Sequence, residues 1–265
     1  MLETIQSLRD EGRSLDDLVS GLTDDQWMLA TPAAGWTIAH QIGHLLWSDE
    51  AALATVIGDG SFSHYLQQAQ DNPLTMTDIS AERYAALPPS ELLSRWRDAR
   101  DRLSDALAGA DPVVRLEWFG PPMSPRSMAT ARLMETWAHG QDVADALGVR
   151  RPPTNRLRDI AHLGVRTRDF AYAINGIPAP TVEFRVELTG PTGDRWAWGP
   201  EDAVDRVTGT AEAFCLVVTQ RREPDQVDLA ATDGAAAQWI SIAQVFAGPP
   251  KAQVRSAHGA DGTAS

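Results

Sequence analysis

The sequence has one cysteine, one lysine and no long apolar run. The single thiol, Cys215, leaves no disulfide framework within the chain and no sign of an oxidising compartment. It lies in the apolar run AFCLVV, where a buried, inert thiol is expected. No stretch approaches the roughly 18 apolar residues of a membrane-spanning helix. The opening MLETIQSLRDEGRSL lacks the charged-then-apolar layout of a signal peptide, so a cytoplasmic chain without membrane attachment is expected. Positive charge is also scarce. The formal net charge is −13, which argues against non-specific nucleic-acid binding, because that requires a basic footprint.

What is present suits a folded protein. The 265 residues, 43% of them hydrophobic, suffice for one large domain or two ordinary ones. Leu2, Ile5, Leu8, Leu15, Leu18 and Leu22 fall at helical spacing over 2–22. A second helix is expected over 37–58, opened by Thr37 as N-cap and closed by Gly58. A third follows Pro88-Pro89-Ser90 to about Leu107, and a fourth runs from about Ser127 to Leu147 and stops at Gly148. Four such helices predict a four-helix bundle over 1–150, with a shorter helix and a loop near 59–80.

Pro152 and Pro153 mark the expected boundary. Beyond it come a helix over 156–173, an alternating strand TVEFRVEL at 181–188 and a hairpin partner in RWAWG. Helical stretches are expected around 203–221 and 234–246. The fold class is therefore α+β, with a small α+β domain over 151–248 and a disordered tail over 249–265.

Chemistry concentrates on two helices. ETWAHGQD places Glu135 and His139 four apart, on one helical face with Arg132 and Asp142. The second helix carries His40 and His44, also four apart, beside Gln41 and Ser48. One reading is a pair of solvated, salt-bridged stripes. The other is a metal site with Glu135, His139 and a histidine of the second helix as donors across the bundle interior. In that reading Asp142 takes the second ring N–H of His139 and fixes its tautomer. Three protein donors with an open fourth position make a catalytic zinc arrangement.

WTIAHQIGHLLWSDE followed by ETWAHGQDVADALG resembles the mycothiol-dependent maleylpyruvate isomerase family, within the DinB-like metal-binding four-helix bundles. The resemblance implies His44, Glu135 and His139 as metal ligands, with Asp142 supporting, and a C-terminal domain similar to sterol-carrier proteins. It implies zinc, although nickel, cobalt or iron suit the same donors. It also implies mycothiol, the low-molecular-weight thiol of actinobacteria. All basic residues but Lys251 are arginine, a composition resembling that of a GC-rich, actinobacterial genome.

The implied reaction is addition of a thiolate to a cis-enedioate, rotation and elimination. A related protein stopping after addition would be an S-transferase. The family's carboxylate-binding arginine corresponds to Arg221 or Arg222 in VTQRRE, and surface cations closing a helix are the other reading of that pair. His40 is a candidate second-shell group or substrate contact, whereas His64, His162 and His258 match no ligand position. The tracts LEWFGPPMSPRSM and TGPTGDRWAWGPEDAVDRV depart from the isomerase subgroup and resemble a sister group of actinobacterial metal-binding proteins.

Two other readings stay open. One is a thiol-independent biosynthetic enzyme in which the metal acts as Lewis acid or water activator. The other is a non-catalytic small-molecule binder, with Trp118, Trp196 and Trp198 either lining an apolar cleft or packing in the core. The expected partner is a small molecule, and both monomer and homodimer are compatible with the sequence.

Overall fold

Helix signals in the first half translate into a closed ring of four long helices. The computed structural model describes residues 1–248 and 250. α1 (Leu2–Val19), the short α2 (Asp24–Trp27), α3 (Ile38–Ile57), α4 (Phe62–Asp71), α5 (Met76–Ala85), α6 (Pro89–Gly109) and α7 (Pro125–Leu147) follow in order. α3 packs on α6 and α7, and α1 packs on the same two, which closes the bundle. Ser124 accepts the Ser127 N–H at 3.2 Å to start α7, with Pro125 in the first turn. Gly58 and Gly148 end α3 and α7 in the left-handed conformation. The interior holds Leu15, Ile38, Ile42, Leu45, Leu92 and Trp96. Each such aliphatic side chain stabilises the fold by about 1.5–3 kcal/mol.

Between α3 and α6 the expected single short helix is two, α4 and α5. The break falls at Asn72-Pro73, because proline steers the preceding residue out of helical backbone. α5 lies on α3 where Gly43 lets it approach: a Cβ there would sit 3.0 Å from both the Ala81 carbonyl oxygen and Tyr84 Cβ. Gly43→Ala is expected to cost about 1–3 kcal/mol through this overpacking, read as a shifted urea midpoint.

The chain divides between Pro152 and Pro153 into two compact units. The second contains α8 (Leu157–Arg166), α9 (Arg168–Ile174), β1 (Phe184–Thr189), β2 (Arg195–Trp198), β3 (Asp205–Thr210), α10 (Ala211–Val218), β4 (Leu229–Ala231) and α11 (Ala235–Ile242). Its sheet runs β2-β1-β3-β4, with β1 and β3 parallel and both outer pairs antiparallel. Phe184, Val186 and Leu188 of β1 are buried together with Trp196, Val207, Phe214 and Trp239. The architecture is α+β, a helical bundle followed by a small α+β unit.

Two expectations need correction here. Residues 203–221 are not one helix: DRVTGT forms β3 beside β1, and the helix starts only at Ala211, capped by the Thr210 side chain. The expected helix over 156–173 is interrupted at Thr167, whose hydroxyl donates back to the Leu163 carbonyl at 3.0 Å. Apart from Pro250, the tail expected over 249–265 lies outside the described residues.

Candidate metal centre

Both polar stripes face the interior. On α7, Arg132, His139 and Asp142 are buried along with Leu133, Val143 and Ala144, so this helix is enclosed on more than one side. On α3, Gln41 and Ser48 are buried and His44 is nearly so. The solvated-stripe reading is thereby corrected. α7 is flanked by α1 and α3, so its polar residues meet other helices.

His44, Glu135 and His139 converge, with their donor atoms all within 4.8 Å of one another. Glu135 Oε2 lies 3.2 Å from His139 Nε2 and 3.7 Å from His44 Nε2. A tetrahedral ion with ligand bonds of about 2.0–2.1 Å separates its ligands by roughly 3.3 Å. Those two edges therefore suit such an ion, and two imidazoles with one carboxylate are ordinary zinc donors. Burial alone would raise the Glu135 carboxyl; the hydrogen bonds and charges of His139 and His44 outweigh it and hold the group well below the usual glutamate range.

The surroundings of the three donors differ from the expectation in one respect. Asp142 Oδ2 is 3.9 Å from His139 Nδ1, beyond hydrogen-bond length. The close partner of Nδ1 is the Gln41 side-chain oxygen, at 2.5 Å. Gln41 lies one turn before His44 on α3, a visible neighbour in the sequence, but carboxylates are the more familiar partners of ligating histidines. Trp36, just before α3, was also missed as a site residue. Its indole stacks on His139 with ring centroids 6.0 Å apart, lies 5.5 Å from His44, and donates its N–H to Asp78 Oδ1 at 2.8 Å.

His40 is not one of the converging donors. Its Nδ1 accepts the Thr37 backbone N–H at 3.2 Å, and its Nε2 meets Glu82 Oε2 of α5 at 2.7 Å. Its ring bonds back to the N-cap Thr37 in the first turn of α3 and ties α5 to that helix. Arg221 and Arg222 belong to the second unit and donate to the Thr219 and Arg221 carbonyls, respectively, just beyond α10. His64 bonds Gln68, and His162 accepts from the Trp198 indole. His258 lies outside the described residues. Trp118 stacks on Phe62, and Trp196 is a core residue of the second unit.

Cys215 is fully buried, its Sγ 3.6 Å from the Leu157 carbonyl, and burial pushes its thiol far above the ordinary range. Among the described residues, no helix is long and apolar enough to cross a membrane.

Fold and site together define a class: a four-helix bundle with an interior His/Glu/His donor set, followed by a small α+β unit. Residues 8–144 match the family described as mycothiol maleylpyruvate isomerase N-terminal domain, and the chain belongs to it. A second family description, wyosine base formation, matches residues 180–232 of the other unit. Two uncharacterized proteins from two strains of Mycobacterium tuberculosis are each 55% identical over 246 residues, covering 93% of this chain and 96% of theirs. The fold is shared with a crystal structure of the mycothiol-dependent maleylpyruvate isomerase, at TM-score 0.58 and 16% identity over 88% of this chain and 94% of that one. A mutant of that isomerase gives TM-score 0.59 at 15% identity, again over 88% and 94%.

Proposed function

We propose that this protein is a metal-dependent enzyme that uses a low-molecular-weight thiol, mycothiol, in isomerase or S-transferase chemistry on a small carboxylate-bearing electrophile. The convergence of His44, Glu135 and His139 inside a bundle of this family carries the reading. These three residues would hold the metal, zinc being the first choice for the donor set and nickel, cobalt or iron the others. When bound, the metal supplies Lewis acidity and favours the thiolate form of a thiol beside it.

The chain's own groups divide the remaining work. Cys215 is too deeply buried and too hard to ionise to serve as nucleophile, which supports an external thiol. Trp36 stacks on the His139 ring and lies tilted against that of His44, an aromatic wall beside the two imidazoles. Arg221 and Arg222 are half-buried guanidiniums suited to a substrate carboxylate, and we assign that role to them, Arg221 first. The cytoplasm, where thiols stay reduced, is the proposed setting.

Elemental analysis of the purified protein beside His44→Ala, with mycothiol titrated into both, tests the proposal. One metal per chain, lost in the variant, with thiol bound only by the loaded form, is the expected result. Metal without thiol binding would replace the proposal with a Lewis-acid or hydrolytic enzyme. Absence of metal from protein purified and reloaded under non-chelating conditions would reject the ligand assignment. Cys215→Ser is expected to leave metal content unchanged in the same assay.

A further inference from the structure

His139 stands at the end of a directional chain of hydrogen bonds that leaves the bundle interior. Its Nδ1 meets the Gln41 side-chain oxygen at 2.5 Å. The Gln41 side-chain nitrogen donates to Thr31 Oγ1 at 2.8 Å, and Thr31 Oγ1 lies 2.9 Å from the Trp36 carbonyl oxygen. The Thr31 backbone N–H donates to the same carbonyl at 2.8 Å, and Ala30 and Thr37 form a bridge across this short loop. Gln41 itself is fully buried.

Only one arrangement of protons satisfies this chain. The Trp36 carbonyl is an acceptor and carries no proton, so the Thr31 hydroxyl must donate to it. The hydroxyl has then spent its only proton and faces Gln41 as an acceptor. Gln41 must therefore turn its NH2 toward Thr31 and its oxygen toward His139. An oxygen at that place accepts, so the imidazole carries a proton on Nδ1. With a proton held on Nδ1, the ring nitrogen left to offer a lone pair to a metal is Nε2, which in the metal-free protein lies 3.2 Å from Glu135. A backbone carbonyl outside the site thus sets the tautomer of a side chain within it.

We propose that Gln41, oriented by Thr31, is a positioning residue that holds His139 with its proton on Nδ1 and its lone pair on Nε2 toward the metal. This rests on the reading of His139 as a ligand. The other imidazole lacks such support: His44 Nδ1 is buried without a hydrogen-bond partner among the described residues. His139 is consequently the anchored donor of the pair, and Gln41 takes the place in which Asp142 was expected.

Zinc affinity, measured by competition with a chromophoric chelator, tests the relay in three variants. Gln41→Leu removes the acceptor and is expected to weaken zinc by about 10–100-fold, the usual effect of losing the partner of a ligating histidine. Thr31→Val leaves Gln41 in place but unoriented, and affinity should fall in the same direction by roughly tenfold or less. Gln41→Glu combined with Thr31→Val, which removes the hydroxyl lone pair that would oppose the second carboxylate oxygen, keeps an acceptor at Nδ1 and should restore affinity to near the parent value, which a purely packing role would not produce. In nitrogen-resolved NMR, the His139 Nδ1–H proton should lie far downfield in the parent and move upfield in Gln41→Leu.

Parent-like affinity in folded Gln41→Leu, or the combined Gln41→Glu and Thr31→Val variant as weak as Gln41→Leu, would overturn the relay. His139→Ala that keeps its zinc would instead overturn the ligand reading. In that case the NMR measurement on metal-free protein decides the relay by itself: a His139 ring without a proton on Nδ1 rejects it.

Discussion

His139→Ala is expected to abolish stoichiometric metal, with affinity falling well over about 100-fold, more than for any change outside the donor set. The geometry explains the size of the effect. Glu135 Oε2 lies closer to His139 than to His44, at 3.2 against 3.7 Å, and His139 is the imidazole whose second nitrogen is held. Two donors would remain, one of them the histidine whose Nδ1 has no partner among the described residues. Elemental analysis after gel filtration reads the loss directly. Unfolding provides a second readout, because a ligand at 1,000 times its dissociation constant stabilises the native state by about 4 kcal/mol. A chelator should therefore lower the parent's Tm and leave that of His139→Ala unmoved. Full metal retention by the variant would return Glu135 and His139 to a buried ion pair without a metal role.

The four long helices were legible because their signals are local. Thr37, Gly58 and Gly148 punctuate them, and the leucine and isoleucine spacings show a core side. The i, i+4 spacing of Glu135 and His139 likewise gives the two donors one face, since that follows from helix geometry alone. The direction of the polar stripes was not legible in this way. α7 carries Leu133 and Arg132 side by side, and both are buried, since neighbouring helices cover the two faces. Gln41 was visible on the stripe with His44, but its bond to His139 joins residues 98 positions apart and depends on how α3 and α7 meet. In the second unit, β3 runs into α10 without a break, and Val207 and Thr208 acquire their strand only by pairing beside β1. Long-range pairing of this kind overrides local propensity.

Charge deep in the bundle gives the second large effect. Arg132 on α7 and Asp49 on α3 form an ion pair at 2.9 Å, with side chains only 3% and 4% exposed. Arg132→Met is expected to destabilise the protein by about 3–5 kcal/mol, because it strands a carboxylate in a site without solvent. A urea titration of the metal-free protein measures this separately from any change in metal binding. In the parent, burial already pushes the Asp49 carboxyl above the usual aspartate range, with Arg132 offsetting part of the rise. A raised native value means that the folded state holds its proton more tightly than the unfolded chain does. The contribution of this group to stability is then greatest in acid and is lost as pH rises through its native value. Without Arg132 that native value rises further, so the deficit of Arg132→Met should shrink as pH falls. Asp49→Leu combined with Arg132→Met should recover most of the loss, since a buried pair replaced on both sides by apolar groups is often neutral or stabilising. A double variant as unstable as Arg132→Met alone would show that the guanidinium acts through its packing in the bundle and not through Asp49.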